Sequence, residues 1–386
     1  MTTRDGEIKE IKEALAPFRA HIKRPGSGSL LYDYLVPSGP YEQLWDWDCF
    51  FMGVTLATEI PSEAVYLKNW VLNFVHNSKS NGRVAGCLTK HGFDERVNQM
   101  KPFLAQGAFL ASKFLSDFMW LKKRWSKLKK IVLYREKYLW SKKYDLGVWF
   151  DGMESGSDNN VAVLNFPKAT VVAADLNAYL YLEYKAMHLL AKQIGRKKDE
   201  KRFAARAEKI KENIQKYLWN AEDETYYNID GRSGEHIKRI SYTSFVPLWG
   251  TIATEKQAIS TCKRYLLSPE YLWSQYGIRT LAQNDLDYNN QNIMKPYSNW
   301  QGPVWIISNY IMMHGLLHYG FQKEAIEIAQ KSNKLILDDI KTSGKMHENY
   351  DAETGKPLAA PDKIGWNLLV ANMLLEAVHN KNPFAV

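Results

Sequence analysis

The stretch DGMESGSDNNVAVLNFPKATVVAADLNAYLYLEYKAMHLLA (151–191) sets a long segment of Gly, Asn and carboxylates directly before a helical pattern. In its second half Leu176, Tyr179, Leu180, Met187, Leu190 and Ala191 recur at the spacing of one helical face. Phe203, Ala207, Ile210, Ile214, Tyr217 and Leu218 repeat that face, so two helices follow one long loop. The same alternation extends in both directions. Pro61-Ser62 opens a helix carrying Val65, Trp70, Val71, Phe74 and Val75, with Ser62 as its expected N-cap. Similar faces occur near 8–20, 102–120, 254–267, 303–319, 322–340 and 366–379. Alternation at period two is scarce, which predicts an all-α chain. Six long segments rich in Gly, Pro, Asn and aromatics begin near residues 31, 83, 145, 220, 270 and 341. Connections beyond about 12–15 residues are uncommon and usually functional. Six of them, mostly separated by room for two helices, predict a ring of helical hairpins with its long loops on one face. No linker splits the chain, so one domain is expected over 1–386, with 1–30 as an N-terminal helical segment.

Composition narrows the function. The chain has 386 residues, 45% hydrophobic and 24% charged, with no low-complexity tract, which excludes collagen-like and disordered classes. Its 13 Trp, 22 Tyr and 15 Phe are what a sugar-stacking cleft needs, although core packing uses aromatics too. The formal net charge of +9 is carried wholly by 121–143, LKKRWSKLKKIVLYREKYLWSKK; the remainder is neutral. Such a run reads first as a solvated helix face and second as a docking patch for an acidic partner. A nucleic-acid partner is not expected, because basic residues are not in excess elsewhere. Cys49, Cys87 and Cys262 are odd in number and widely spaced, and read as reduced thiols. The N-terminus lacks the apolar core of a signal peptide, and the longest apolar stretch, from Val304, is too short to span a bilayer. A cytoplasmic chain without membrane insertion is therefore expected. The oligomeric state is left open.

Four of the long loops hold polar and aromatic residues together. The first, Gly39–Phe51, contains Tyr41, Gln43, Trp47 and Asp48. An indole covers the apolar face of a pyranose while a carboxylate accepts from its hydroxyls, although a Trp-rich helix start capped by Asp fits equally. The second, Asp151–Asn160, carries three carboxylates around two glycines. Read as a calcium loop from Asp151, it has Gly156 at the sixth place but Ala162 at the twelfth, where glutamate is required, so half the pattern is missing. The third, Ser298–Trp305, runs into an apolar helix whose first turn would accept Pro303. The fourth is His347-Glu348-Asn349-Tyr350-Asp351, followed by Gly365-Trp366. A carboxyl in an aromatic setting can have a raised pKa and serve in acid–base chemistry, whereas a solvated loop glutamate is the plain alternative. Nucleophile-elbow, P-loop, dinucleotide and zinc signatures are missing, so no metal or organic cofactor is expected.

Taken in order, the four loops resemble glycoside hydrolase family 63 and, more distantly, the trehalases of family 37. The likeness runs from about 38 to 379. YEQLWDWDCFF resembles the family's aromatic-Trp-Asp motif, ESGSDNN (154–160) its Glu-Ser-Gly-x-Asp element, NWQGPVW (299–305) its Trp-x-Gly-Pro-x-Trp element, and HENYD with the later GW its Glu-x-Tyr element. ADLNAYLYLEY (174–184) resembles the helix after the acid loop. The resemblance implies an (α/α)6 toroid and an exo-acting, inverting α-glycosidase. It assigns Asp158 as general acid and Glu348 as general base, with Trp47, Asp48, Trp300, Gln301 and Gly302 around the sugar. Tyr41, Gln43, Gln106, His347 and Trp366 are further candidates for substrate contact. Gln301 stands where the family often has Arg, and NQMKPFLAQ (98–106) matches its Gln-Pro-Pro element loosely. Compact relatives in the family hydrolyse mannosylglycerate and glucosylglycerate, so the implied substrate is a short α-glucoside or α-mannoside with a small charged aglycone such as glycerate. The alternatives are a trehalase-like α-glucosidase acting on a disaccharide, another toroidal sugar enzyme such as an epimerase or phosphorylase, and a non-catalytic interaction protein using 121–143.

Overall fold

Two kinds of helix pattern sort into two layers. Helices that are apolar all round belong inside, and those with a single apolar stripe belong outside. In Ile306–His318 every residue from Ile306 to Leu317 is buried, and in Asp46–Glu59 every residue from Asp46 to Ala57. Lys197–Asn213, by contrast, buries only Phe203, Ala207, Ile210 and Asn213. The computed structural model describes residues 3–386 and arranges these helices accordingly. Asp46–Glu59, Leu104–Phe114, Ala174–Gln193, Val246–Trp249, Ile306–His318 and Val370–His379 form the inner set, each packed on the next. The 3-10 turn Gly365–Leu369 leads into the last of them and packs on the first, closing a cycle. Ala64–Asn77, Trp125–Val132, Lys197–Asn213 and Gln322–Ser343 pack outside. The N-terminal helix Thr3–Leu15 lies against Val370–His379 and Gln322–Ser343. One hydrophobic cluster runs through the chain from Ile11 to Phe384.

Short connections lead from inner to outer helices, and the long loops lead back from outer to inner, which brings the four polar and aromatic loops toward one end. The chain is mostly helical but not all-α. A five-stranded antiparallel sheet, ordered His236–Ile237, Asn228–Asp230, Val171–Val172, Leu146–Trp149, Trp140–Ser141, joins two of the long loops, and there are four two-stranded ribbons besides, one of them in the second of these loops. These strands are two to five residues long. Leu146–Trp149 is buried on both faces, so period-two alternation, the signal of a half-solvated strand, is lost there.

Two local expectations are corrected. Ser62 lies in a 3-10 turn, Pro61–Glu63, and Ala64–Asn77 begins after Glu63 with no side-chain cap bond. Pro303 precedes its helix, which starts at Ile306 after the extended Trp305. The basic segment buries Trp125, Leu128, Ile131 and Val132 and exposes Lys122, Lys123, Arg124 and Lys127, the pattern of an amphipathic surface helix. The three cysteines are unpaired. Among the described residues no helix is long and apolar enough to cross a membrane.

Candidate active site

The acid loop is built by replacing solvent with side-chain partners. Asp151 caps the one-turn helix Gly152–Ser155 by accepting from the Glu154 amide at 2.9 Å, a structural use of the first carboxylate. Glu154 is buried, pairs with Arg135, and accepts from the Phe150 amide at 2.8 Å. Gly152 lets the Asp158 carbonyl approach, since a Cβ there would sit 2.3 Å from that oxygen. Ser157 Oγ is 2.6 Å from the Tyr242 hydroxyl, and Asn160 caps Val161–Leu164. These bonds fix the loop on both sides of Asp158, which lies at the edge of a cavity.

The third loop closes over it. Asn159 Oδ1 accepts from the Trp300 amide at 2.6 Å, and Gln301 donates to the Asn159 carbonyl at 2.9 Å. Val304 and Tyr350 exchange backbone hydrogen bonds of 2.7 and 3.0 Å, which docks the tryptophan loop on the strand His347–Tyr350. That strand is fixed from behind by Asp339 of Gln322–Ser343, which accepts from the His347 amide and the Tyr350 hydroxyl, both at 2.9 Å. Opposite Glu348 the partner strand is bulged, and Ala359 takes the left-handed conformation at φ 59°.

The result is a cavity of about 250 Å3 lined by Tyr41, Trp45, Trp47, Asp48, Lys101, Met153, Gly156, Asp158, Met294, Pro296, Tyr297, Ser298, Trp300, Trp305, Glu348, Lys363 and Trp366. Its floor is aromatic. Trp300 stacks on Trp305 with centroids 3.9 Å apart, and Trp47 lies 5.9 Å from Trp300 and 5.6 Å from Trp366. Tyr242 supports Trp300 from below. Ser298 links the two candidate catalytic groups: its amide donates to Asp158 Oδ2 at 3.0 Å and its hydroxyl to Glu348 Oε2 at 3.2 Å. Burial first, then the charge of Glu348, push the Asp158 carboxyl up to about 7, against the opposing pull of the Ser298 amide. The Tyr41 hydroxyl, which faces Glu348 and Ser298, is pushed upward by burial and then by the Glu348 charge. Among the described residues no three His, Cys, Asp or Glu side chains gather as metal ligands.

Of the residues read from sequence, Tyr41, Trp47, Asp48, Asp158, Trp300, Glu348 and Trp366 meet at this cavity. The other five stand behind it. Gln106 is buried and donates to the carbonyls of Pro102 and Tyr179. Gln43 accepts from the Trp45 indole, and the His347 ring lies 2.9 Å from Asp339. Gln301 holds the Asn159 backbone, and Gly302 passes so near the Asn289 carbonyl that a Cβ would lie 2.2 Å away. Sequence reading missed Lys101, Ser298 and Lys363. Lys101 pairs with Asp46 at 3.2 Å and lies over the Trp47 ring, whereas Lys363 pairs with Asp48 at 3.0 Å. Two of the three were within sequence reach, because Lys101 lies in NQMKPFLAQ (98–106) and Ser298 adjoins the NWQGPVW element.

The likeness to known proteins agrees with this geometry. The model of the mannosylglycerate hydrolase MGH1-like glycoside hydrolase domain matches residues 119–363. The mannosylglycerate hydrolase of Rubrobacter radiotolerans is 30% identical over 190 residues, 49% of this chain and 39% of that protein. A probable mannosyl-oligosaccharide glucosidase of Schizosaccharomyces pombe is 23% identical over 226 residues, 54% of this chain and 27% of that protein. The chain thus spans well under half the length of these curated relatives. Among solved structures, the GH63 mannosylglycerate hydrolase of Thermus thermophilus, in complex with Tris and D-glycerate, superposes with a TM-score of 0.74 at 16% identity, covering 95% of this chain and 100% of that one. Neutral trehalase Nth1 of Saccharomyces cerevisiae gives 0.70 at 17% identity, over 91% and 76% of the two chains. With its family model matched over more than half of its length, the chain belongs to the mannosylglycerate hydrolase MGH1-like glycoside hydrolases.

Proposed function

We propose that the chain is a single (α/α)6 toroid acting as an exo-acting, inverting α-glycosidase on a short α-glucoside or α-mannoside. The observation that carries this reading is the Ser298 bridge between two carboxyl groups, of which Asp158 is held toward its protonated form by burial. The closed cycle of inner helices and the neighbours of known fold support the toroid. Two oxygens held by one residue's amide and hydroxyl are at most about 10 Å apart. That bound admits the roughly 6.5–9.5 Å of an inverting pair and the roughly 5–5.5 Å of a retaining one alike, so inversion is the part of the reading that the resemblance supplies and the test below decides.

Asp158, kept protonated by burial, gives its proton to the glycosidic oxygen as the bond to the anomeric carbon breaks. Glu348 takes a proton from water, whose oxygen attacks that carbon from the opposite ring face. The products are a β-hexose and the free aglycone alcohol, and proton exchange with solvent resets both carboxyls. Trp47, Trp300 and Trp366 cover the apolar sugar face, and Asp48 accepts from its hydroxyls. A cavity of about 250 Å3 lies below the roughly 300–1,000 Å3 of drug-sized sites, which favours a terminal sugar with a small leaving group. The relatives named for mannosylglycerate make glycerate the first aglycone to try. The site is assigned no metal and no organic cofactor.

The test is proton NMR of the protein with mannosylglycerate, glucosylglycerate, trehalose, kojibiose, nigerose and maltose, read from the first minutes. With mannosylglycerate or glucosylglycerate, whose aglycone is not a sugar, early β-hexose supports the reading and early α-hexose overturns inversion; trehalose should give α- and β-glucose in equal amounts, and the reducing disaccharides an excess of β over their own anomeric mixture. Release undiminished in Glu348→Gln overturns the assigned base, whose loss should cost about 10²–10⁴-fold.

A further inference from the structure

Lys363 is the least expected residue in the cavity. Lysine is among the residues least often fully buried, yet Lys363 is only 2% exposed. Its ammonium lies 3.0 Å from Asp48 Oδ1 and 3.7 Å from Glu348 Oε1. It also lies 3.9 Å from the Tyr41 ring centroid and 4.2 Å from that of Trp366. Among the described residues it is the one basic side chain within 4.0 Å of either carboxylate.

The backbone shows why it cannot drift. The Lys363 amide donates to the Met346 carbonyl at 3.0 Å, two residues before Glu348. The next two amides, of Ile364 and Gly365, both donate to the Pro37 carbonyl, in the loop that carries Tyr41. Lys363 is therefore sewn to the base strand on one side and to the sugar-binding loop on the other. Gly365 leaves room for its stem, because a Cβ there would lie 2.8 Å from Lys363 Cε. The rings of Tyr41 and Trp366 offer their faces to the ammonium and limit its swing.

We propose that Lys363 is a positioning residue that locks Asp48 and Glu348 into one constellation, holding Glu348 as a carboxylate with Oε1 toward the ammonium and Oε2 toward Ser298. This rests on the reading of Glu348 as general base. A base must be ionised before each turnover, yet the Asp48 carboxylate stands on the same ammonium beside it. The groups facing Glu348 are Ser298, whose hydroxyl donates to it, Tyr41, whose hydroxyl faces it, Asp158, which burial keeps protonated, Asp48, whose charge opposes it, and Lys363, its one counter-charge. Removing the ammonium takes away the one counter-charge and leaves the Ser298 hydrogen bond and the opposing Asp48 charge.

The experiment is a 13C-carboxyl NMR titration of glutamate-labelled protein, with the Glu348 signal identified by its loss in Glu348→Gln, together with kcat and KM against pH. In Lys363→Met the Glu348 midpoint should rise by one pH unit or more, and the acid limb of kcat/KM should rise with it. Lys363→Arg should keep the midpoint within half a unit of the wild type. The double variant Asp48→Asn/Lys363→Met removes both halves of the ion pair. It keeps the titration available if the single variant does not fold, and its midpoint should also lie above that of Asp48→Asn alone. A Glu348 midpoint unmoved by loss of the ammonium overturns the proposal, whatever happens to stability or rate. A midpoint that moves in a protein whose wild type hydrolyses no substrate supports the electrostatic lock and overturns the glycosidase reading instead.

Discussion

Replacing Asp158 by Asn tests the acid without needing a substrate. The folded chain holds this carboxyl at about 7 against an ordinary 3.8, chiefly through burial. Between those values the folded protein keeps a proton that the unfolded chain has released, so stability falls as pH rises through the window. At about 1.4 kcal/mol per pH unit the full cost is at most roughly 4 kcal/mol, of which about 2.5 accrues between pH 5 and pH 8. Asn escapes this cost at every pH, and its carbonyl oxygen can still accept the Ser298 amide that now bonds Asp158 at 3.0 Å. A chain of this length has an unfolding entropy near 0.8 kcal/mol/K, so the Asn variant's advantage in Tm should grow by about 3 °C from pH 5 to pH 8. It should then level off. Differential scanning calorimetry of both proteins at matched scan rates provides the measurement, alongside turnover reduced about 10²–10⁴-fold. A Tm difference that stays constant from pH 5 to pH 8 would refute the argument, because an ordinary carboxyl is ionised in both states across that range.

Two further changes test the walls of the site. Gly156 has φ 81°, and a Cβ there would lie 2.6 Å from Trp47 Cζ2 and 2.7 Å from Lys101 Cε. Gly156→Ala should therefore cost about 1–3 kcal/mol and lower kcat/KM, with a tryptophan-fluorescence change reporting the displaced Trp47. Arg135→Met strands Glu154 in the core beside the acid loop and should cost about 3–5 kcal/mol in urea unfolding. Arg135→Met/Glu154→Gln should recover part of that loss; a double variant no more stable than the single one would mean the pair's charge is not the reason.

Much of the fold was legible because it is local. Apolar spacing marks a helix wherever one face is buried, and the Gly- and Asn-rich intervals mark where helices must end. Both signals survived in Ala174–Gln193 and Lys197–Asn213. The strand Leu146–Trp149 was hidden because burial on both faces erases alternation, and Val246–Trp249 is too short for helical periodicity to register. In the site, Asp158, Glu348, Trp47 and Trp300 stood out as carboxylates and indoles in ordered motifs. Gln106, Gln301 and His347 belong to the same motifs but turn their polar atoms to the protein.

Lys363 marks the division between what one dimension held and what three supplied. In sequence it is one of 51 basic residues, in a turn where lysine is unremarkable. Its place between Asp48 and Glu348 depends on Pro37, Met346, Tyr41 and Trp366, partners up to 326 positions away. Residue chemistry and periodicity are carried by the chain itself, because each depends on a side chain and its near neighbours. Burial, pairing and protonation depend on which distant groups share one small volume, and only the packed loops decide that.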